Sequence, residues 1–251
     1  MTTSTTRFYH FAAQESLYSF PYHYLTGISS HGDFFINRAL NWGLEYLTYM
    51  TWVQNQVKAL KPQKLLDIGC GDGRLLNLLA DDVSMRTGVD LSDRALAFAK
   101  AFNPDVRFFH KIVDVPDQID VITCVETMEH IPDAELPYFV ESIAGKLNSG
   151  VGKLILSVPT VVVPLNRKHY RHYNLNILES QLMPRFSIEK YTFLFRRGHM
   201  TNLLNRILVN RFFVLGHSGL KRFIWGIHKK FSYTANAEDG AHLAVLCRLR
   251  Y

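Results

Sequence analysis

A chain of 251 residues, 47% hydrophobic and 20% charged, can bury a full-sized core and is too apolar to be a disordered chain. No apolar run reaches the roughly 18–20 residues of a membrane-spanning helix, and the opening MTTSTTRFYHF lacks the apolar core of a secretory signal. The formal net charge is +6, yet nine Lys/Arg and no Asp or Glu fall between Lys190 and Ala237, so the basic character belongs largely to one segment.

Three widely spaced cysteines, Cys70, Cys124 and Cys247, form neither a zinc pattern nor a disulfide framework. A reducing, cytoplasmic setting is expected, with peripheral membrane contact left open. Residues 1–32 are dense in aromatics and histidine (Phe8, Tyr9, His10, Phe11, Tyr18, Phe20, Tyr22, His23, Tyr24) without a clear period. We read 1–60 as an N-terminal extension and helix, a cap or lid. Its helix is predicted from about Asp33, an N-cap residue, to about Leu60, where Lys61-Pro62 ends it. Phe34, Phe35, Leu40, Leu44, Leu47, Trp52, Val53 and Val57 supply its apolar stripe.

Strands are predicted next at about 64–69, 86–91, 106–110, 120–126 and 152–159, with helices at about 73–81, 93–102 and 133–147. Such alternation implies an α/β, Rossmann-like doubly wound sheet, parallel, with helices on both faces and right-handed crossovers. After a long connection, 160–173, a helix is predicted at about 175–183 and strands at about 186–196 and 242–250. Residues 61–251 thus read as one domain with a basic insertion at about 198–240.

Chemistry enters at Leu65-Leu66-Asp67-Ile68-Gly69-Cys70-Gly71-Asp72-Gly73-Arg74, a buried strand turning tightly into a helix. Glycine permits the positive φ angles and close backbone approach of such a turn, and the helix beyond presents unpaired N–H groups. Cys70 reads as a small packing residue of that turn. Asp90 ends the next strand, where a carboxylate accepts from both hydroxyls of an adenosyl ribose. The turn and the acid suit either a nicotinamide dinucleotide or S-adenosylmethionine. Two details favour the latter: the spacing Gly69-x-Gly71-x-Gly73 departs from G-x-G-x-x-G, and Asp67 suits a methionine ammonium better than a pyrophosphate.

LLDIGCGDGRLL, then TGVDLS, then DVITCVETMEHIPD resemble three successive motifs of class I S-adenosylmethionine-dependent methyltransferases. The resemblance covers roughly residues 64–160. It implies that Asp67, Gly69, Cys70 and Gly71 approach the methionine portion, that Asp90 binds the ribose, and that Leu91 packs on the adenine. Asp114 is the acid available near the adenine amine, and Glu126 also touches the cofactor. The last two strands match the family's antiparallel terminal hairpin, giving seven strands with an antiparallel last one.

Glu126, Glu129 and His130 are spaced i, i+3 and i+4, so a helical turn would put them on one side. Two carboxylates and an imidazole form either an acid–base site, with His130 and Glu129 catalytic, or a divalent metal site. Mg²⁺ or Mn²⁺ suits oxygen-rich ligation, with zinc behind them. His172 is the first choice for a further ligand to Glu126, Glu129 and His130, and His169 the second. The E-x-x-E-H pattern resembles both ubiquinone-biosynthesis O-methyltransferases and small-RNA 3′-terminal 2′-O-methyltransferases. In other members of the superfamily the histidine merely braces the loop.

The resulting expectation is O-methylation of a hydroxyl on a small or lipophilic molecule. RNA 2′-O-methylation and a non-catalytic cofactor-binding relative are its rivals. The insertion interleaves basic residues with aromatics (Arg211-Phe212-Phe213, Lys221-Arg222-Phe223-Ile224-Trp225), which fits an anionic membrane surface or a polyanionic substrate; no recognised RNA-binding module occurs, which places nucleic acid lower.

Overall fold

The computed structural model describes residues 26–28, 34–36, 43–116, 118–208 and 217–250. Strands β1 (Thr26–Ile28) and β2 (Phe34–Ile36) pair antiparallel. The helix predicted from Asp33 begins later: α1 is Gly43–Leu60, and Phe34 and Phe35 of its expected stripe lie in β2 instead. A Phe-Phe-Ile run suits a strand better than a helix start. Asp33, Leu40 and the aromatics of residues 1–25 lie outside the described residues.

From there the chain alternates as expected: β3 (Lys64–Ile68), α2 (Arg74–Leu78), β4 (Met85–Val89), α3 (Asp93–Phe102), β5 (Arg107–Phe109), β6 (Val121–Val125), α4 (Leu136–Lys146), β7 (Lys153–Pro159), α5 (Leu175–Leu182) and β8 (Phe186–Arg196). The insertion supplies α6 (His199–Leu208), α7 (Ser218–Phe231) and β9 (Thr234–Ala235), and β10 (Gly240–Leu249) follows. Between strand and helix lie two 3₁₀ turns, Ile112–Asp114 and Met128–His130.

The sheet order is β5-β4-β3-β6-β7-β10-β8-β9. β3 to β7 are parallel, and β10 inserts antiparallel between β7 and β8. The seven expected strands are all present. The eighth, β9, is a two-residue addition from the end of the insertion, paired to the outer edge of β8.

Alternation along the strands divides the core. Leu66, Ile122 and Leu154 face α4 and α5, where Leu136, Val140, Ile143, Leu178 and Leu182 are buried. Leu65, Val121 and Ile155 face the other way, onto Met50, Trp52, Val53 and Val57 of α1 and Leu75, Leu76 and Leu96 of α2 and α3. Period-two side-chain alternation is what lets one strand serve both layers. Strand order reverses between β3 and β6, the switch point at whose carboxyl edge this architecture opens a crevice. Among the described residues no helix is long and apolar enough to cross a membrane.

Candidate active site

The glycine turn after β3 has left-handed backbone at Gly69 (φ 73°), Gly71 (52°) and Gly73 (76°). A Cβ on Gly69 would lie 2.1 Å from Thr127 Oγ1, so both the conformation and the space demand glycine. The Gly69 and Cys70 amides both donate to Val89 O, at 2.8 and 3.0 Å, and Gly73 N–H donates to Cys70 O at 2.9 Å. The Cys70 thiol is buried, and burial pushes its pKa up. It lies where a Cβ on Gly88 would have to go. Cys70 is thereby a packing residue whose amide is held by β4 and whose carbonyl closes the turn.

Asp90, at the end of β4, ties the two turns together. Its carboxylate accepts from Gly71 N–H and from Ser92 N–H, each at 2.9 Å, and Ser92 in turn caps α3 through Ala95 N–H. Asp67 is buried in β3 and accepts from Thr123 Oγ1 at 2.7 Å. Burial, joined by the negative charge of Asp90 and opposed by the Thr123 hydroxyl, raises its pKa to about 7. A cation placed in the crevice would ionise it. Leu91 is 61% exposed beside Asp90, and Asp114 is exposed in the 3₁₀ turn after β5.

Glu126 takes a left-handed backbone (φ 50°), uncommon for a residue with a Cβ. Its N–H donates to Ser157 O, and Ser157 Oγ donates to Glu126 Oε1, both at 2.9 Å. The next helical turn is only the 3₁₀ segment Met128–His130. The single face expected for Glu126, Glu129 and His130 is thus divided. The left-handed residue turns Glu126 toward β7 and β10, while Glu129 and His130 meet the 160–173 connection.

Glu129 is 1% exposed, and its Oε2 has no hydrogen-bond partner. Its carboxyl is held well above the usual carboxylate range by burial and then by the negative charge of Glu126. His130 Nε2 lies 3.9 Å from Glu129 Oε1, and His130 Nδ1 lies 3.1 Å from Lys168 O. A carbonyl only accepts, so Nδ1 carries a proton and Nε2 is the ring nitrogen turned to Glu129. His169 Nδ1 is 2.8 Å from His172 Nε2, and His172 Nδ1 is 2.8 Å from Val163 O. Val163 O accepts from His172 Nδ1–H, and one proton bridges His172 Nε2 and His169 Nδ1. The His130 and His169 rings meet edge to face with centroids 4.7 Å apart.

Among the described residues, Glu129, His130 and His169 each bring one ligand-type atom within 4.8 Å of the others. Of the two histidines proposed from sequence, His169 therefore faces Glu129 and His130, and His172 stands behind it. Glu126, expected in the same ligand set, is turned to Ser157 and His242 instead.

Three residues at this site escaped the sequence reading. His242, at the start of β10, lies with Nδ1 3.0 Å from Glu126 Oε2 and Nε2 2.9 Å from Glu45 Oε1. Burial opposes its charge, but the two carboxylates prevail and its pKa stands at about 10. Tyr49 packs its ring 4.9 Å from that imidazole, and burial together with Glu126 pushes its hydroxyl pKa up. Glu45 and Tyr49 both come from α1, so this helix walls the site. A signal existed for His242: an antiparallel last strand starts at the edge where the parallel strands end, which is the ligand edge.

Residues 44–198 match the family described as methyltransferase domain. The chain is similar to the ubiquinone biosynthesis O-methyltransferase of Bordetella parapertussis, 34% identical over 91 residues that cover 33% of this chain and 38% of that protein. It is also similar to that of Idiomarina loihiensis, 31% identical over 115 residues covering 42% of this chain and 46% of that protein. The matches thus span less than half the length of these curated relatives. Among solved structures, an Archaeoglobus fulgidus S-adenosylmethionine-dependent methyltransferase aligns with TM-score 0.57 and 16% identity over 82% of this chain and 94% of that one. The Synechocystis magnesium protoporphyrin IX methyltransferase, with S-adenosylhomocysteine bound, aligns with TM-score 0.58 and 14% identity over 100% of both chains. At such identities these likenesses speak for the fold, and the family match covers more than half of the chain. The chain belongs to the methyltransferase domain family and has the class I S-adenosylmethionine-dependent methyltransferase fold.

Proposed function

We propose that this protein is an S-adenosylmethionine-dependent O-methyltransferase in which Glu129, with His130 and His169, takes the proton from a hydroxyl of a small or lipophilic acceptor. The observation that carries the reading is the Glu129 carboxyl, buried with an unpartnered oxygen beside two imidazoles at the carboxyl edge of the sheet. A carboxylate that pays for its charge by burial is a stronger base than one in water, which suits it to a weakly acidic hydroxyl.

The crevice fits the cofactor on the chain's own features: three left-handed glycines, the ribose-type acid Asp90, and Asp67 waiting on a cation. When bound, S-adenosylmethionine supplies an electrophilic methyl group on a sulfonium. Asp67 would hold the ammonium and Asp90 the ribose. The Lys168 carbonyl and the His172–His169 hydrogen bond orient the two imidazoles. Glu129, beside His130 and His169, takes the proton of the acceptor hydroxyl; the oxygen so exposed would be the nucleophile for a bound sulfonium's methyl group, with the carbon–sulfur electron pair left on sulfur.

One carboxylate and two imidazoles are also a competent set for a divalent cation, and Glu129, His130 and His169 are the residues that would hold it. The two nitrogens favour Mn²⁺ or Zn²⁺ over Mg²⁺. Such an ion would lower the pKa of an acceptor hydroxyl. The ubiquinone biosynthesis O-methyltransferases that the chain resembles support an oxygen acceptor.

The test is methyl transfer from labelled S-adenosylmethionine to catechol-type phenols, alkyl alcohols and short RNAs, with and without chelator. Labelled methyl ethers of the phenols or alcohols are the expected product. Methylation confined to nitrogen, carbon or RNA would refute the reading.

A further inference from the structure

The insertion builds a surface on which apolar and basic side chains face outward together. α6 buries Thr201, Leu204 and Leu208, and α7 buries Ile224 and His228. The apolar members join Phe195 and Ala241 in a third core. His228 Nε2 lies 2.7 Å from Thr48 Oγ1, whose own hydrogen goes to Leu44 O at 2.6 Å, which fixes α7 against α1. Their buried faces settled, helical spacing sets what points away. On α7 it is Arg222, Phe223, Gly226, Lys229 and Lys230, all exposed; on α6 it is Met200, Leu203 and Arg206, exposed at i, i+3 and i+6. Leu203 and Phe223 are 54% and 64% exposed.

We propose that the outward faces of α6 and α7 dock this protein on an anionic phospholipid surface. Leu203 and Phe223 enter the boundary between headgroups and acyl chains, and Arg206, Arg222, Lys229 and Lys230 lie among the phosphates. Charge complementarity selects that occupant, since no Asp or Glu occurs between Lys190 and Ala237. The chain's own residues 1–42 do not supply the complement: they carry two acids, Glu15 and Asp33, against two bases, Arg7 and Arg38. Nucleic acid would match the charge and leave the aliphatic Met200, Leu203 and Leu220, each more than 40% exposed, without a role.

The surface is continuous with the site. Arg197, between β8 and α6, donates to Val162 O at 3.0 Å. Val163 packs against the third core while its carbonyl receives His172. Val161 and Leu165 of the same connection are 55% and 61% exposed. A lipid-dissolved acceptor would therefore approach the site past the connection that carries His169.

Co-sedimentation of the full chain with vesicles tests this, and needs neither cofactor nor acceptor, so its outcome is separable from that of the proposed activity. Binding to mixed phosphatidylcholine–phosphatidylglycerol vesicles is expected, with loss on pure phosphatidylcholine and in high salt. Each base at an anionic surface is worth roughly five-fold, so Lys229→Glu with Lys230→Glu weakens binding at least about 25-fold. Phe223→Ser weakens it roughly ten-fold while sparing the salt dependence. Unchanged circular dichroism confirms that the variants fold. Equal binding to both vesicle types, indifference to all three substitutions, or retention by RNA without vesicle binding would each overturn the proposal.

Discussion

Glu126 Oε2 lies 3.0 Å from His242 Nδ1, a contact across 116 residues of sequence. β10 makes it possible by running antiparallel, so that His242 pairs with Pro159 at the ligand edge of the sheet. With Glu45 on its other nitrogen at 2.9 Å, the imidazole joins α1, β10 and the end of β6. It holds Glu126 in a left-handed conformation that the chain would otherwise avoid.

That clamp makes stability depend on pH. The folded pKa of His242, about 10, exceeds the ordinary 6.5, so its stabilisation is complete below pH 6.5 and is lost as pH rises through 10. The slope reaches about 1.4 kcal/mol per pH unit. Urea unfolding at pH 7 and pH 10 is expected to show a drop of a few kcal/mol in the wild type. His242→Gln should be about 3 kcal/mol less stable at pH 7 and should lack that slope.

Cofactor binding is expected to follow Asp67. Its pKa of about 7 in the free protein means that an ammonium ligand must first ionise it. Affinity for S-adenosylhomocysteine should fall as pH drops below 7, approaching ten-fold per unit. Asp67→Asn should bind weakly and without that pH dependence, as titration across pH 5.5–8 would show.

The two histidines of the connection should behave differently. His169→Ala removes the imidazole facing Glu129 and should cost at least about 100-fold in kcat. His172→Asn removes only the group that orients His169 and should cost about ten-fold, the size typical of outer partners. Equal losses, or a larger loss for His172, would contradict the assignment.

Gly69→Ala places a Cβ 2.1 Å from Thr127 Oγ1 at φ 73°. The left-handed backbone alone costs about 1–2 kcal/mol, and the clash adds to it. Thermal unfolding should show a lowered Tm, and S-adenosylhomocysteine should raise it far less than in the wild type. Thr127→Gly in the same chain would relieve the clash and leave the backbone cost.

The strand–helix alternation and the glycine turn were legible because their signals are local: apolar runs, turn glycines and an acid at a strand end. Contacts between distant segments were not. Nothing near His242 in sequence announces Glu45 or Glu126, and only the direction of the last strand hints at its place. The order of His169 and His172 was equally hidden, since the 160–173 connection has no period to say which ring faces inward. The left-handed Glu126 also broke the helical spacing from which a single face had been inferred. β9 owes its existence to pairing with β8, and two residues carry no pattern of their own.

The central claim is a nucleoside-sulfonium site between Asp67 and Asp90 with its base at Glu129. Isothermal titration calorimetry with S-adenosylhomocysteine tests it most directly. One site of micromolar affinity is expected in the wild type, at least about 100-fold weaker in Asp90→Ala, and nearly unchanged in Glu129→Gln, which loses turnover instead. Absence of binding by the wild type, or equal binding by Asp90→Ala, would contradict it.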